Sequence, residues 1–403
     1  MRGKSTNLRI RLPVFLFVAQ VTIVAFYAAF VTYDDQADAR FQNNRTKPME
    51  NAVYKDYPMF TDIQVIIFLG FGCLFAFFRL YGFGGMVFNL LTAAFSIQWA
   101  ILVQGYFQFS HDGKIHLGVI NLIYAEFACA VVLISFGAVL GKTSPLQLLV
   151  MALLEVPVFA VTEWAVLKYL KINDSGGSIL IHLFACYFGL GVTFVLYRPH
   201  LNEGHAKANT SYQSDILSLI GTLFLWVFWP SFNSSLTLKG DDQHRAILHT
   251  FIGLSASTLT AFALSAMLNK NGKITISDIQ NVTLAGGGDS GGVCGYDDNS
   301  CSCICSGAPV EGDPKLHKLQ ILIPGLQPGL GRTAREQALF QVAAVFSTIG
   351  VSTLGGILTG FVLKLPYLAP PSDVFCFDDQ LFFEVPPDYD SPLKLNNIDD
   401  SAA

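Results

Sequence analysis

Residues 117–141 read LGVINLIYAEFACAVVLISFGAVLG, an apolar run broken by a single charged side chain, Glu126. The hydrocarbon core of a bilayer is about 30 Å thick and takes roughly 20 helical residues to cross. A run of this length and polarity reads as a membrane span. On either side of it, the stretches 12–33, 60–80, 83–108, 145–170, 178–197, 214–236, 245–268 and 338–363 have the same character, which makes nine. A tenth begins near 274–288 and stops short. Lipid offers backbone N–H and C=O groups no partner, so each run has to form a helix rather than an open sheet.

Composition agrees. Of the 403 residues, 52 % are hydrophobic and 14 % charged, and the mean hydropathy is +0.46. A soluble domain is about a quarter charged. The shortage of charge means that lipid is the main solvent, and nothing suggests a nucleic-acid partner. The first run follows Arg9 and Arg11, is too long for a signal-peptide core, and lacks a small-residue cleavage site, so it reads as a retained span. Cys73, Cys129 and Cys186 lie inside apolar runs and act there as small hydrophobes. Cys294, Cys301, Cys303 and Cys305 crowd one polar stretch without histidine partners, which argues against a metal site; no cofactor is expected.

Charge placement sets the orientation. Arg2, Lys4, Arg9 and Arg11 precede the first run, and alternate loops carry Arg79, Lys142, Arg198 with Lys207, and Lys270 with Lys273. These loops are expected on the cytoplasmic side. Asn44 opens a glycosylation sequon in a longer loop on the opposite side; the Asn173 sequon lies close to a span. Nine crossings leave the C-terminus outside, and an even number returns it to the inside.

Charged and polar side chains inside spans are costly, at about 2.5 kcal/mol and upward for a central charge, and so they mark functional or packing positions. Glu126, Glu155, Glu163 and His182 are such residues, with His249 near a span start. His182 follows Asp174-Ser-Gly-Gly; a continuous helix would set it about 12 Å deeper than Asp174. Its imidazole could pass a small polar molecule along or hold a neighbouring helix. Trp226, Trp229 and Pro230 make 224–233 an aromatic, kinked stretch suited to a pore wall.

Longer strings carry a resemblance. Asp174-Ser-Gly-Gly-Ser-Ile-Leu-Ile-His182, Gly221-Thr-Leu-Phe-Leu-Trp226 through Trp229-Pro-Ser-Phe-Asn233, Gln243-His-Arg-Ala246, Ile279-Gln-Asn-Val-Thr-Leu-Ala-Gly-Gly287 and Phe136-Gly-Ala-Val-Leu-Gly-Lys142 resemble the Rh glycoproteins of the ammonium transporter superfamily, types C and B above all. The resemblance implies an all-α integral membrane bundle, usually of twelve spans, assembled as a homotrimer in the plasma membrane. It implies a channel that recruits ammonium, deprotonates it and conducts neutral ammonia through an apolar pore, with carbon dioxide as a further candidate permeant. By the same resemblance Phe127 and Phe232 match an aromatic gate, His182 the first pore histidine, Asp174 a structural acid, Glu163 an acid at the outer mouth, and Asn233 a neighbour of the gate.

The pattern covers 1–287 almost continuously, fails after Gly287 and resumes at about 340–384, with Pro371-Ser-Asp and Cys376-Phe. A Cys/Gly/Pro-rich segment, 288–337, stands where further spans are expected; a last helix, 338–365, and an acidic cytoplasmic tail, 366–403, follow. His317 lacks the string that surrounds the family's second pore histidine and is not assigned that role. About nine spans are recognisable where twelve are usual. The competing reading is a non-conducting structural or assembly subunit of an Rh-type complex, from a truncated or mis-spliced product. A membrane enzyme using His182 as a base is a third reading, with no nucleophile or metal partner nearby.

Overall fold

The computed structural model describes residues 10–40, 51–108, 110–202, 205, 207–237, 240–287, 332, 334–368, 370–386 and 389. Among them, nine helices are long and apolar enough to cross a membrane. We label the helices α1 (Arg11–Phe30), α2 (Val53–Phe77), α3 (Gly82–Gln108), α4 (Val119–Val139), α5 (Pro145–Leu170), α6 (Ser178–Val195), α7 (Tyr212–Ser234), α8 (Asp241–Leu268), the short α9 (Ile276–Val282), and α10 (Ala334–Leu363). The expected spans are all present, with moved ends. α2 starts at Val53 rather than near 60, and α10 at Ala334 rather than 338. Residues 31–33 leave the first span and form a strand.

That strand, β1 (Val31–Tyr33), pairs in parallel with β3 (Lys114–Leu117), and β2 (Ser110–His111) pairs antiparallel with β3. Asp112 and Gly113, both at positive φ, make the two-residue turn between β2 and β3, the handedness that suits a tight hairpin. The sheet caps the bundle at the end where α1 and α3 finish.

α4 is the centre of the bundle. Val131, Val132 and Leu133 are consecutive and fully buried, so helices surround it on every side. Lipid tails are as apolar as leucine, so burial alone gives helices little reason to associate; close packing and interhelical hydrogen bonds do. α6 and α10 meet through glycines: a Cβ on Gly356 would lie 2.1 Å from the Phe188 carbonyl oxygen, and one on Gly191 2.7 Å from that of Thr353. Ser218 Oγ donates to the Leu74 carbonyl (3.0 Å), Thr193 Oγ1 to that of Ala138 (3.1 Å), and Trp99 Nε1 to that of Leu153 (3.1 Å). Such bonds contribute on average about 0.6 kcal/mol each.

The two ends of α10 define the faces. Near its start, Gln337 Nε2 and Gln341 Nε2 donate to the carbonyls of Lys171 and Asn173, in the α5–α6 loop. At its far end the Leu363 carbonyl accepts from Gln147 Nε2 (2.8 Å), and beyond it the Leu368 carbonyl accepts from Ser144 Oγ, so these lie with the α4–α5 loop. The tail then runs across the face that carries Lys142, Arg198 and Lys207. Arg198 pairs with Asp373 at 2.9 Å, and Lys207 with Asp378 at 2.7 Å in a buried salt bridge. The Asp379 carboxylate accepts from the backbone N–H groups of Phe83 (2.8 Å) and Gly84 (2.7 Å), at the positive end of α3.

The C-terminal tail therefore shares a face with Arg11, which donates to the Tyr367 carbonyl. The sequence left an odd and an even number of crossings open, and this shared face agrees with the even one. The short stretch near 274–288 supplies the difference. Gln280 Nε2 reaches the Asp215 carbonyl at the start of α7, and the Gly287 carbonyl accepts from Asn233 Nδ2 near its end. Residues 276–287 thus climb beside α7 towards the face on which α10 begins.

Candidate functional site

Four elements converge beneath the α5–α6 loop. Asp174 lies in that loop, and its carboxylate accepts from the backbone N–H groups of Ile179 (3.2 Å) and Leu180 (2.8 Å). These are orphan donors at a helix start, which a carboxylate satisfies well. Burial pushes its carboxyl from the ordinary 3.8 up to about 6, against the pull of those N–H groups. Gly177 adopts φ +71°, a left-handed conformation in which a side chain would be strained, and a Cβ there would lie 2.4 Å from Ile181 Cδ1.

The chain then enters a π-turn, Ser178–Leu183, rather than an α-helix. The His182 N–H donates to the Gly177 carbonyl (3.0 Å), an i to i−5 bond. This corrects the expected depth: Asp174 and His182 are joined by a turn and a wide helical coil, so the 1.5 Å rise of a continuous α-helix does not apply between them. π-turns widen a helix locally and redirect one side chain, and here that side chain is His182.

His182 points at an aromatic cluster. Phe127 of α4 and Phe232 of α7 meet edge to face, with centroids 4.5 Å apart and planes at 88°. The His182 ring lies 5.9 Å from Phe232 and is stacked on the Trp229 indole at 5.6 Å and 17°. Phe127 and Phe232 are 2 % and 3 % exposed, so the pair is closed over the imidazole. His182 Nε2 and Trp229 Nε1 are both buried without a hydrogen-bond partner. A polar molecule beside them would find a hydrogen-bonding nitrogen on each of two neighbouring rings.

Asn233 holds this wall together. Its Nδ2 donates to Thr250 Oγ1 of α8 (2.9 Å) and to the Gly287 carbonyl (2.8 Å), tying three segments beside the aromatic pair. Gly287 lies against the Trp229 ring, where a Cβ would come within 3.0 Å. Glu163 stands apart, near the outer end of α5. Its Oε2 accepts from Gln104 Nε2 (2.9 Å) and Gln108 Nε2 (2.6 Å) of α3.

The structure thus brings Phe127, Phe232 and His182 together, places Asn233 beside them and Asp174 behind them, and leaves Glu163 outside the cluster. The stack on Trp229 and the two glutamines around Glu163 were not assigned from sequence. The four-residue spacing of Gln104 and Gln108 puts both on one helix face and is a signal for the latter. The sequence marked Trp229 as part of an aromatic, kinked stretch suited to a pore wall, but not as the stacking partner of His182. Asn44 and His317 lie outside the described residues.

Comparison with known proteins identifies the family. Residues 21–311 match the model of the Ammonium Transporter Family. The chain is 40 % identical to Ammonium transporter Rh type B-A of Xenopus laevis over 444 aligned positions, covering 96 % of this chain and 95 % of that one. It is 41 % identical to Ammonium transporter Rh type C of Homo sapiens over 436 positions, 95 % and 91 % of the two chains. The first alignment is longer than the 403 residues of this chain, so the relative holds residues with no counterpart here. Among solved structures, Nitrosomonas europaea Rh50, described as one of the Rhesus family of channels, superposes with a TM-score of 0.69 at 30 % identity, over 84 % of this chain and 94 % of that one.

Proposed function

The chain belongs to the ammonium transporter family as an Rh-type member and is a multi-pass ammonia/ammonium channel, and we propose that the Phe127–Phe232 pair, His182 and Trp229 form its gate and the first polar station of its pore. The observation that carries this reading is the pair of buried, unpartnered ring nitrogens directly behind a closed aromatic pair.

The physics selects the permeant. An ammonium ion entering an apolar passage gives up hydration worth tens of kcal/mol on idealised solvation estimates, whereas neutral ammonia gives up far less. Glu163 makes the outer mouth acidic and draws the cation in. Aromatic faces at the gate hold it by cation–π attraction, worth about 2 kcal/mol or more once desolvated. The ammonium gives its proton to water on the outer side of the gate, and ammonia passes between Phe127 and Phe232. A neutral imidazole offers one hydrogen bond as donor and one as acceptor, which matches ammonia without a fixed charge. Alkali cations have no proton to leave and are refused. By the same family relation we place the channel in the plasma membrane as a homotrimer, with the tail face inward.

The test is uptake of ammonia, read as intracellular pH change, and of radiolabelled methylammonium, in oocytes expressing the full chain. Uptake above water-injected controls that His182→Ala removes supports the reading. A well-expressed surface protein that moves neither solute overturns it.

A further inference from the structure

Glu126 is the only charged side chain in 117–141 and directly precedes Phe127. It is 1 % exposed, and neither of its carboxyl oxygens has a hydrogen-bond partner. No ion pair among the described residues includes it. The side chain of Gln64 on α2 stands next to the carboxyl without closing a hydrogen bond to it. An ionised carboxylate buried without a counter-charge is costly, whereas a neutral carboxyl asks only for hydrogen bonds.

Two further unspent groups lie at the same depth. Cys129 Sγ of α4 donates to the Ala93 carbonyl of α3 (3.9 Å), which sets the level of these two antiparallel helices. Three residues outward from that contact stand Ser96 on α3 and Glu126 on α4, each about 4.5 Å further out. Asn89 Nδ2 of α3 donates to the Ile67 carbonyl of α2 (3.0 Å), and the same step outward brings Thr92 level with Gln64. Thr92 and Ser96 are four residues apart on one face of α3, both 0 % exposed, and both hydroxyls lack a partner. Thr162, Thr258 and Thr283 bond back to the carbonyl one turn earlier, a common habit of helical threonines; Thr92 does not. Thr92, Ser96 and the two oxygens of Glu126 are thus unpaired, buried and within one helical turn in depth. Polar groups that share a level but stay beyond direct reach are what a bridging water joins, and a buried water takes about two to four such partners.

We propose that Gln64, Thr92, Ser96 and Glu126 bind ordered water between α2, α3 and α4, with the Glu126 carboxyl in its neutral form, and that this bridge positions the backbone from which Phe127 reaches the gate. The last clause rests on the gate reading given above; the water site does not. Each group then finds a match: the carboxyl O–H and the two hydroxyls donate to water, and the water O–H groups return to the carboxyl oxygen and the Gln64 amide.

The test is infrared spectroscopy of the purified full chain in lipid nanodiscs, with uptake measured alongside. The difference spectrum between wild type and Glu126→Gln at pH 7 should show a protonated carboxyl band that the variant loses. Exchange into oxygen-18 water should shift a band of buried water that the double variant Thr92→Val with Ser96→Ala lacks. In oocytes, Glu126→Leu should cut uptake several-fold at equal surface expression, and Glu126→Gln, which keeps the shape and the hydrogen bonds, should recover most of the loss. A carboxylate band in place of the protonated one would overturn the proposal, as would a wild type without the exchangeable water band. A melting temperature that rises with sodium chloride in the wild type alone would assign a cation to the site and overturn the water. Glutamine and leucine variants that fail equally would show that the acid has to titrate, which overturns the neutral bridge. Infrared bands as expected with full uptake in Glu126→Leu would overturn the link to Phe127, and a wild type that moves no solute would sink the gate reading while leaving the bands in place.

Discussion

The imidazole of His182 lies flat against the indole of Trp229, 5.6 Å apart and within 17° of parallel, and the buried nitrogens of both rings lack a partner. The stack fixes the orientation of His182 from one side, while the π-turn after Gly177 fixes its backbone from the other. In the proposed pore, orientation matters because the imidazole has to present its nitrogen to the permeating molecule.

Replacing Trp229 with Leu should release the imidazole and cut ammonia uptake at least several-fold at equal surface expression. Trp229→Phe keeps a face to stack on, worth about 0.5–1.5 kcal/mol, and loses the N–H. It should retain more uptake than the leucine variant. Equal uptake in the wild type and the leucine variant would show that the stack does not orient His182.

Removing either ring of the gate should cost selectivity before it costs flux. Phe127→Ala or Phe232→Ala truncates a buried aromatic, at about 3–5 kcal/mol of stability. Channels that still reach the surface should pass methylammonium faster and leak alkali cations, measured as a potassium-dependent current. An unchanged current with intact expression would place the barrier elsewhere.

Asp174 acts through the backbone. Asp174→Ala strands two N–H groups, at about 1–3 kcal/mol each if they stay buried, and should lower the melting temperature in detergent along with uptake. The pH dependence has a definite sign. Burial raises the folded carboxyl from 3.8 to about 6, so its contribution to stability is fully present below 3.8 and is lost as pH rises through about 6. The wild type should therefore melt higher at pH 5 than at pH 7.5 by a margin that Asp174→Asn removes.

The tail clasp rests on Lys207 and Asp378, whose side chains are 5 % and 1 % exposed. Breaking a buried pair from one side costs about 3–5 kcal/mol because the other charge is left behind. Lys207→Met should release the tail, seen as rapid proteolysis after residue 365 with the bundle intact. Protection equal to that of the wild type would show that Asp379 on the α3 N-terminus and the Arg198–Asp373 pair hold the tail without it.

The nine spans, the positive loops and the strings around His182 were legible because hydropathy and helix propensity are local properties. A run such as 117–141 declares its helix without reference to anything else in the chain. The pairing of Phe127 with Phe232 was legible only by resemblance, since no periodicity separates them from the other phenylalanines. Parity of the crossings was not legible: residues 276–287 are too short for a span by length, and only their bonds to Asp215 and Asn233 show that they climb.

What the sequence by itself determined is that this chain is a bundle of membrane helices with costly polar groups at Asp174, Glu163 and His182. The tertiary structure decided which rings meet, how deep His182 sits and which face the tail covers. The physical reason is that those are pairings between distant segments. In a membrane they are set by close packing at glycines, by buried hydrogen bonds and by ion pairs such as Lys207–Asp378, none of which a window of neighbouring residues contains.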